Sequence, residues 1–218
     1  MNHIFDPLAE GYDAWFDSPE GACIFGLELA CLRPLLVSAP HPWLEIGVGT
    51  GRFARALGVE YGIDSSPAML RKAAARGIAV AQGLAECLPY RGSSFGAALL
   101  VVPLCFLDKP RQAFAEAALA LRSGGLLVAG IIPADSAWGQ EYARKAKQGH
   151  PIYSRAHFHT AEETVRLAEL AGFRLRDAFS CLRSAPGEPI EEEQPAPGVV
   201  QGAGFVALAF DLACNTGG

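Results

Sequence analysis

From Trp43 onward, short apolar runs alternate with stretches whose apolar positions recur every three or four residues. That alternation predicts βαβ units and a parallel sheet. The runs place strands at 43–47, 59–63, 78–82, 95–102 and 126–132. Helical spacing fills 50–57, 66–76 and about 110–122. Ser65 or Ser66 is the expected N-cap of the second of these helices, with Pro67 in its first turn and Gly77 at its end. Gly124 and Gly125 are expected to turn the chain into the fifth strand. Residues 1–36 read as helical and aromatic-rich, with Tyr12, Trp15, Phe16 and Phe25. Pro34 and the run Pro40-His41-Pro42 are expected to break the chain before the first strand.

Beyond the fifth strand the pattern changes. Asp135 to Gln148 reads as a polar helix, and a histidine-containing loop follows from Gly149 to Thr160. Thr160-Ala-Glu-Glu163 is a capping-box pattern that opens a helix to Ala171, which Gly172 ends. Phe173 to Leu182 reads as a sixth strand, and Val199 to Leu212 contains a seventh. Between them, 184–198 is rich in Pro and Glu, has three consecutive acids at 191–193, and is expected to be an exposed loop. Two late strands with no helix between them fit an antiparallel hairpin. Cys214 to Gly218 reads as a frayed tail.

Composition narrows the function classes. At 218 residues, half of them hydrophobic and 19% charged, the chain is a globular sequence and one domain, 1–218. The net charge of −5 comes with no block of Lys and Arg. A nucleic-acid partner is therefore not expected, since neutralising phosphates needs clustered cations. Met1 to Asp6 lacks the features of a secretory signal. Gly92 to Leu107 is too short and too broken by Ser93, Ser94 and Pro103 for membrane insertion. The six cysteines, Cys23, Cys31, Cys87, Cys105, Cys181 and Cys214, form no metal-type spacing and read as reduced thiols of a cytoplasmic protein. Cys105, just past the fourth strand, is the one candidate for reactivity.

The chemistry sits at Leu44-Glu-Ile-Gly-Val-Gly-Thr-Gly51 and at Asp64, thirteen residues after the last glycine. Gly47, Gly49 and Gly51 allow a tight turn and a close ligand. An acid ending the next strand is placed to accept hydrogen bonds from ribose hydroxyls. Together they describe a site for an adenosine-containing cofactor. A dinucleotide site would read G-x-G-x-x-G. Here Arg52 occupies the third glycine's position, where its side chain would crowd a pyrophosphate. A carboxylate at 64 also disfavours a 2′-phosphate.

The glycine segment resembles motif I of class I S-adenosylmethionine-dependent methyltransferases. The similarity extends through Gly62-Ile-Asp-Ser-Ser-Pro-Ala-Met-Leu70, Gln82-Gly-Leu-Ala-Glu-Cys-Leu-Pro89, Phe95-Gly-Ala-Ala-Leu-Leu-Val-Val102 and Leu121-Arg-Ser-Gly-Gly-Leu-Leu-Val128. In the last, Ser123 replaces the usual Pro. Collinear similarity runs from about residue 42 to 180, and the subgroup most resembled is the ubiquinone/menaquinone-biosynthesis-like type 11 set. The resemblance implies an α/β, Rossmann-like, seven-stranded, mostly parallel sheet with an antiparallel C-terminal strand. It also implies helices on both faces and a helical N-terminal cap over 1–36. S-adenosylmethionine would be the cofactor, S-adenosylhomocysteine its product.

On that resemblance Asp64 anchors the ribose, while Glu45 supports the methionine end or fixes the glycine turn. Ser65 and Met69 line the adenosine pocket. Ala85 supplies a backbone amide to the adenine, with Glu86 beside it, and Val101 and Val102 face the methionine moiety. Tyr12, Trp15 and Phe16 either form a lid over the cofactor or simply pack the cap.

The acceptor is expected to be a small molecule. The strand exit Val102-Pro-Leu-Cys-Phe-Leu-Asp108 lacks the Asn/Asp-Pro-Pro-Tyr signature of base and glutamine methylation. Residues 133–160 would form a substrate-side insertion. Candidates for a general base are His157, His159 and Tyr12, with His150 in the same loop. A metal pair at His157 and His159 has no third ligand spaced nearby, so no metal is expected. A non-catalytic S-adenosylmethionine-binding sensor or scaffold is the alternative that the same motif permits.

Overall fold

A computed structural model describes Asp6 and residues 9–213. The readings made on Met1 to Phe5 and on Cys214 to Gly218 lie outside the described residues.

Two helices open the structure, α1 (Ala9–Phe16) and α2 (Pro19–Leu36). Then come β1 (Trp43–Ile46), α3 (Arg52–Leu57), β2 (Tyr61–Asp64), α4 (Pro67–Ala75), β3 (Ala79–Gln82) and β4 (Phe95–Val101). A 3-10 turn at Pro103–Phe106 leads to α5 (Pro110–Ala120) and β5 (Leu121–Ile131). The last third holds α6 (Ala137–Lys147), α7 (Ala161–Leu170), β6 (Phe173–Cys181), β7 (Ala196–Pro197) and β8 (Phe205–Leu212). All strands join one sheet in the order β3-β2-β1-β4-β5-β8-β6-β7. The first five are parallel, and β8 runs antiparallel to both β5 and β6.

The central strands β1 and β4 are buried on both faces, which is why they read as continuous apolar runs. On β4, Ala97, Leu99 and Val101 join one core while Ala98 and Leu100 join the other, the period of two expected of a pleated strand. Phe95 joins the second core, across the register shift between Phe95 and Ala97. One core packs against α2, α3, α4 and α6, and the opposite core against α5 and α7.

Four local expectations need correction. The sheet has eight strands, not seven. The extra one, β7, lies inside the Pro- and Glu-rich loop, where Ser180 donates to the carbonyl of Gly198 at 2.7 Å and accepts from Val200 N at 3.0 Å. Pro197 is tolerated there because the strand is an edge. That loop is also not wholly exposed. The Glu193 carboxylate turns inward, with its side chain only 10% exposed, and accepts from Leu182 N and from Arg183.

Pro34 does not break the chain but sits inside α2. Its missing N–H falls in the last turn, where burial of Leu32, Leu35 and Leu36 holds the helix on the sheet. Arg176 Nη2 caps the end by donating to Leu35 O at 2.9 Å. Strand β5 starts five residues early, at Leu121, with a register shift opposite Phe95 and Ala97. Gly124, at φ +71, carries the bulge that makes this possible.

The caps follow the sequence closely. Ser66, not Ser65, caps α4 and accepts from Met69 N at 3.2 Å. Thr160 and Glu163 form the full capping box of α7. The helix read as polar, α6, turns a buried face of Trp138 and Tyr142 inward. Among the described residues no helix is long and apolar enough to cross a membrane.

Candidate active site

The glycine turn and Asp64 meet at the carboxyl ends of β1 and β2. Gly47 N and Val48 N both donate to Ile63 O, at 2.8 and 2.9 Å, so the turn is pinned to the neighbouring strand. Gly47, Gly49 and Gly51 take φ of +75, +52 and +81. At Gly47 a Cβ would lie 2.6 Å from Pro103 Cβ, so the turn and the start of the 3-10 segment approach as closely as bare backbone allows. Asp64 then locks the turn. One oxygen accepts from Gly49 N and the other from Ser66 N, each at 2.9 Å. Burial raises the Asp64 pKa, and these amides pull it the other way.

Arg52 points away from this turn. Its guanidinium reaches α1, donating to Asp13 Oδ1 at 2.8 Å and to Asp17 Oδ1 at 2.6 Å. Asp13 also receives Arg76 at 2.9 Å, with Lys72 at 3.7 Å. Burial opposes the charge on Asp13, but the hydrogen bonds from Arg52 and Arg76 hold its carboxyl down to about 2. These ion pairs latch α1 onto α3 and α4.

Beneath the latched helix lies a cavity of about 700 Å³. That is within the ~300–1,000 Å³ range of small-molecule sites. Gly47, Gly49, Asp64, Ser65 and Met69 line one end. Ala85, Glu86, Val101 and Val102 line it too, and Tyr12, Trp15 and Phe16 of α1 reach it. Val102 sits at φ +71, an uncommon conformation for a β-branched residue, with its N–H donating to Gly130 O at 2.8 Å. Glu86 also ties this rim to α5, accepting from Lys109 N at 3.3 Å.

Four sequence candidates do not line the cavity. Gly51 instead faces α4, where a Cβ would meet Ala73 at 3.0 Å. Glu45 is buried beneath the turn. Burial raises its pKa well above the ordinary value, the Ala54 backbone amide opposes this, and its Oε2 has no hydrogen-bond partner among the described residues. Of the two roles open to Glu45, this position favours fixing the turn. His157 and His159 lie outside the lining, rings 4.9 Å apart, with His157 N donating to Cys105 O and His159 near Glu163 at 3.9 Å. The loop histidine that does line the cavity is His150, stacked on Tyr153 at 4.6 Å. Cys105 lines it as a neutral thiol, its pKa pushed up to about 12 by burial, which leaves it a poor nucleophile.

Sequence reading missed the other end. Glu28 of α2 and Trp138 and Tyr142 of α6 all line the cavity, with Tyr153 and Phe158 from the following loop. Tyr142 stacks on Tyr153 at 4.4 Å. The signal for Glu28 was present: it is a single acid inside the apolar run Ile24 to Leu32. Nothing local marks the aromatic residues, because they converge only through the fold.

The two ends together can hold an adenosine cofactor with its far end facing an aromatic chamber. A turn of bare backbone and a carboxylate whose oxygens keep lone pairs for hydroxyls fit a nucleoside. Among the described residues no group of three His, Cys, Asp or Glu side chains comes together to hold a metal ion.

A family model described as a methyltransferase domain matches residues 44–129. An uncharacterized protein of Methanocaldococcus jannaschii is 34% identical over 96% of this chain and 98% of its own length. An uncharacterized protein of Mycobacterium tuberculosis is 43% identical over 92% of this chain and 71% of its own length. A crystal structure from Thermotoga maritima superimposes with a TM-score of 0.86 at 35% identity, covering 97% of this chain and 99% of that one. It is described as an S-adenosylmethionine-dependent methyltransferase, possibly a histamine N-methyltransferase.

Proposed function

This chain belongs to the S-adenosylmethionine-dependent methyltransferases, and on that premise we propose that it methylates a small, partly apolar molecule held in the aromatic chamber. S-adenosylmethionine is the cofactor; when bound, it supplies an activated methyl group on a positively charged sulfur that leaves as a neutral thioether. The single observation that carries the small-molecule reading is the continuity of one cavity from Gly47, Gly49 and Asp64 to Trp138 and Tyr142.

In this reading Asp64 takes the ribose hydroxyls on its remaining lone pairs. Gly47 and Gly49 give the cofactor a wall of backbone, with Ser65 and Met69 beside the adenosine. Ala85 and Glu86 flank the adenine, and Val101 and Val102 the methionine portion. Glu45 and Gly51 support the turn from beneath. Tyr12, Trp15 and Phe16 close the site and exclude water. Holding donor and acceptor in line removes much of the entropic barrier, so no fixed base is required for every acceptor. The whole chain acts as one domain, with 1–36 as the cap and 133–160 as the acceptor-side insertion. Cys23, Cys31, Cys87, Cys105 and Cys181 are all free thiols, which supports a cytoplasmic setting.

Calorimetric titration with S-adenosylhomocysteine, with NADH as control, tests this reading. Micromolar binding of the first alone is the expected result. Binding of NADH with no response to S-adenosylhomocysteine would overturn it.

A further inference from the structure

The Glu28 side chain is out of place for a packing residue. It sits in the middle of α2, 5% exposed, between helix neighbours that pack the core. Its carboxyl group lines the cavity and makes no hydrogen bond or ion pair with any described residue. An unpartnered buried carboxyl is costly in either protonation state, and an apolar side chain of the same size would stabilise the helix more. The partner that such a group lacks in the protein is then supplied by what enters the cavity.

Three kinds of partner can be compared. A carboxylate or phosphate on the ligand would find no cation at Glu28 and would be repelled by its ionised form. An alcohol would leave it with one ordinary hydrogen bond. A nitrogen that carries protons gains a charge-assisted bond, and the walls suit it: aromatic faces attract cations, and Tyr12, Tyr142, Tyr153 and Trp138 line the same cavity. Lys109 and Arg155 also line it but form no ion pair with Glu28, so no cation of the protein occupies its carboxyl group.

We propose, resting on the methyl-transfer reading, that the acceptor is a small amine whose nitrogen is seated against the Glu28 carboxyl group among the Tyr12, Tyr142 and Tyr153 rings. Glu28 both selects the amine and takes its proton. An ammonium nitrogen has no lone pair, so it must lose one proton before it can be methylated. With the nitrogen seated against Glu28, its carboxylate accepts that proton and passes it to solvent as the methylated ammonium forms. The nitrogen lone pair makes the N–C bond while the C–S bond breaks and its electrons stay on sulfur.

Burial supports this role by pushing the Glu28 pKa up to about 8. The titratable groups facing it are Tyr12 on α1, Tyr142 on α6 and Cys181 on β6. All three are held neutral at pH 7: the tyrosines by burial, Cys181 by its hydrogen bond with Cys31 and by burial. The free site therefore holds Glu28 mostly protonated at pH 7. An entering ammonium and this carboxyl group keep, between them, one proton fewer than they brought, so binding releases close to one proton.

The test is calorimetry on the protein saturated with S-adenosylhomocysteine, at pH 7, in two buffers of different ionisation enthalpy. The probes are 2-phenylethylamine, 2-phenylethanol and 3-phenylpropionate, with butylamine and butanol as a smaller pair. The amines should bind at least tenfold more tightly than their alcohols and release about one proton. In Glu28→Gln, affinity for S-adenosylhomocysteine should hold while amine preference and proton release disappear. Equal binding of amine and alcohol, no binding of any probe, or preference retained in Glu28→Gln overturns the proposal. Should Glu28→Gln fail to fold, the native protein's preference and proton release still decide. Failure of S-adenosylhomocysteine to bind the native protein overturns the methyl-transfer reading and this one with it. Cofactor binding without amine preference overturns this one alone.

Discussion

At the strand ends, Gly47, Gly49 and Asp64 face the cavity through backbone and one carboxylate that the neighbouring amides already grip. Across from them, Tyr12, Glu28, Trp138 and Tyr142 line it, carried by the consecutive helices α1 and α2 and, far from them in the chain, by α6. The first end is tied by short hydrogen bonds within about twenty residues of sequence and leaves little room for variation. The second depends on how α1, α2 and α6 settle on the sheet. One end is therefore built to bind one cofactor, and the other can change its acceptor by changing side chains without disturbing the first.

The sharpest way to break this contrast is Asp64→Ala. Charge-assisted hydrogen bonds are worth about 1.5–3 kcal/mol each. The calorimetric dissociation constant for S-adenosylhomocysteine should rise about tenfold to a thousandfold, and an unchanged constant would remove Asp64 from the cofactor end. A smaller effect is expected from Gly47→Ala. Left-handed φ costs a residue with a Cβ about 1–2 kcal/mol, and the contact with Pro103 adds to it. Thermal unfolding should drop by about 4–8 °C. Gly58→Ala has a similar φ of +83 and open space around its Cβ, so it should lose only about half as much. Equal losses would mean that the close approach of turn and Pro103 carries no weight.

The smallest effect concerns the latch on α1. Asp13→Ala should cost about 1 kcal/mol in urea unfolding at pH 7, a figure that allows for solvent screening of these ion pairs. Because the folded Asp13 pKa lies below its ordinary 3.8, this stabilisation is complete above about pH 5 and fades as pH falls toward about 2. The difference between native protein and variant should shrink over that window. A constant difference would assign the latch to packing and not to charge.

The legible parts of the fold share a cause. Strand and helix positions, the caps at Ser66 and Thr160, and the glycine turn follow from periods and side-chain preferences that act within a few residues. The errors fall where longer contacts intervene. Leu121 joins β5 because Phe95 is there to pair with it, and Glu193 turns inward to satisfy Arg183 and the Leu182 amide. Likewise Pro34 is carried through by the burial of its helix.

The sequence by itself determined the parallel sheet, the cofactor turn and the family, because a strand, a turn and an acid are adjacent in the chain and bound by local geometry. Only the tertiary structure decided which histidine reaches the cavity, that Arg52 serves the cap, and that Glu28 stands among tyrosines with no partner from the described residues. Those facts depend on helices meeting across the sheet, and burial and electrostatic environment exist only once they have met.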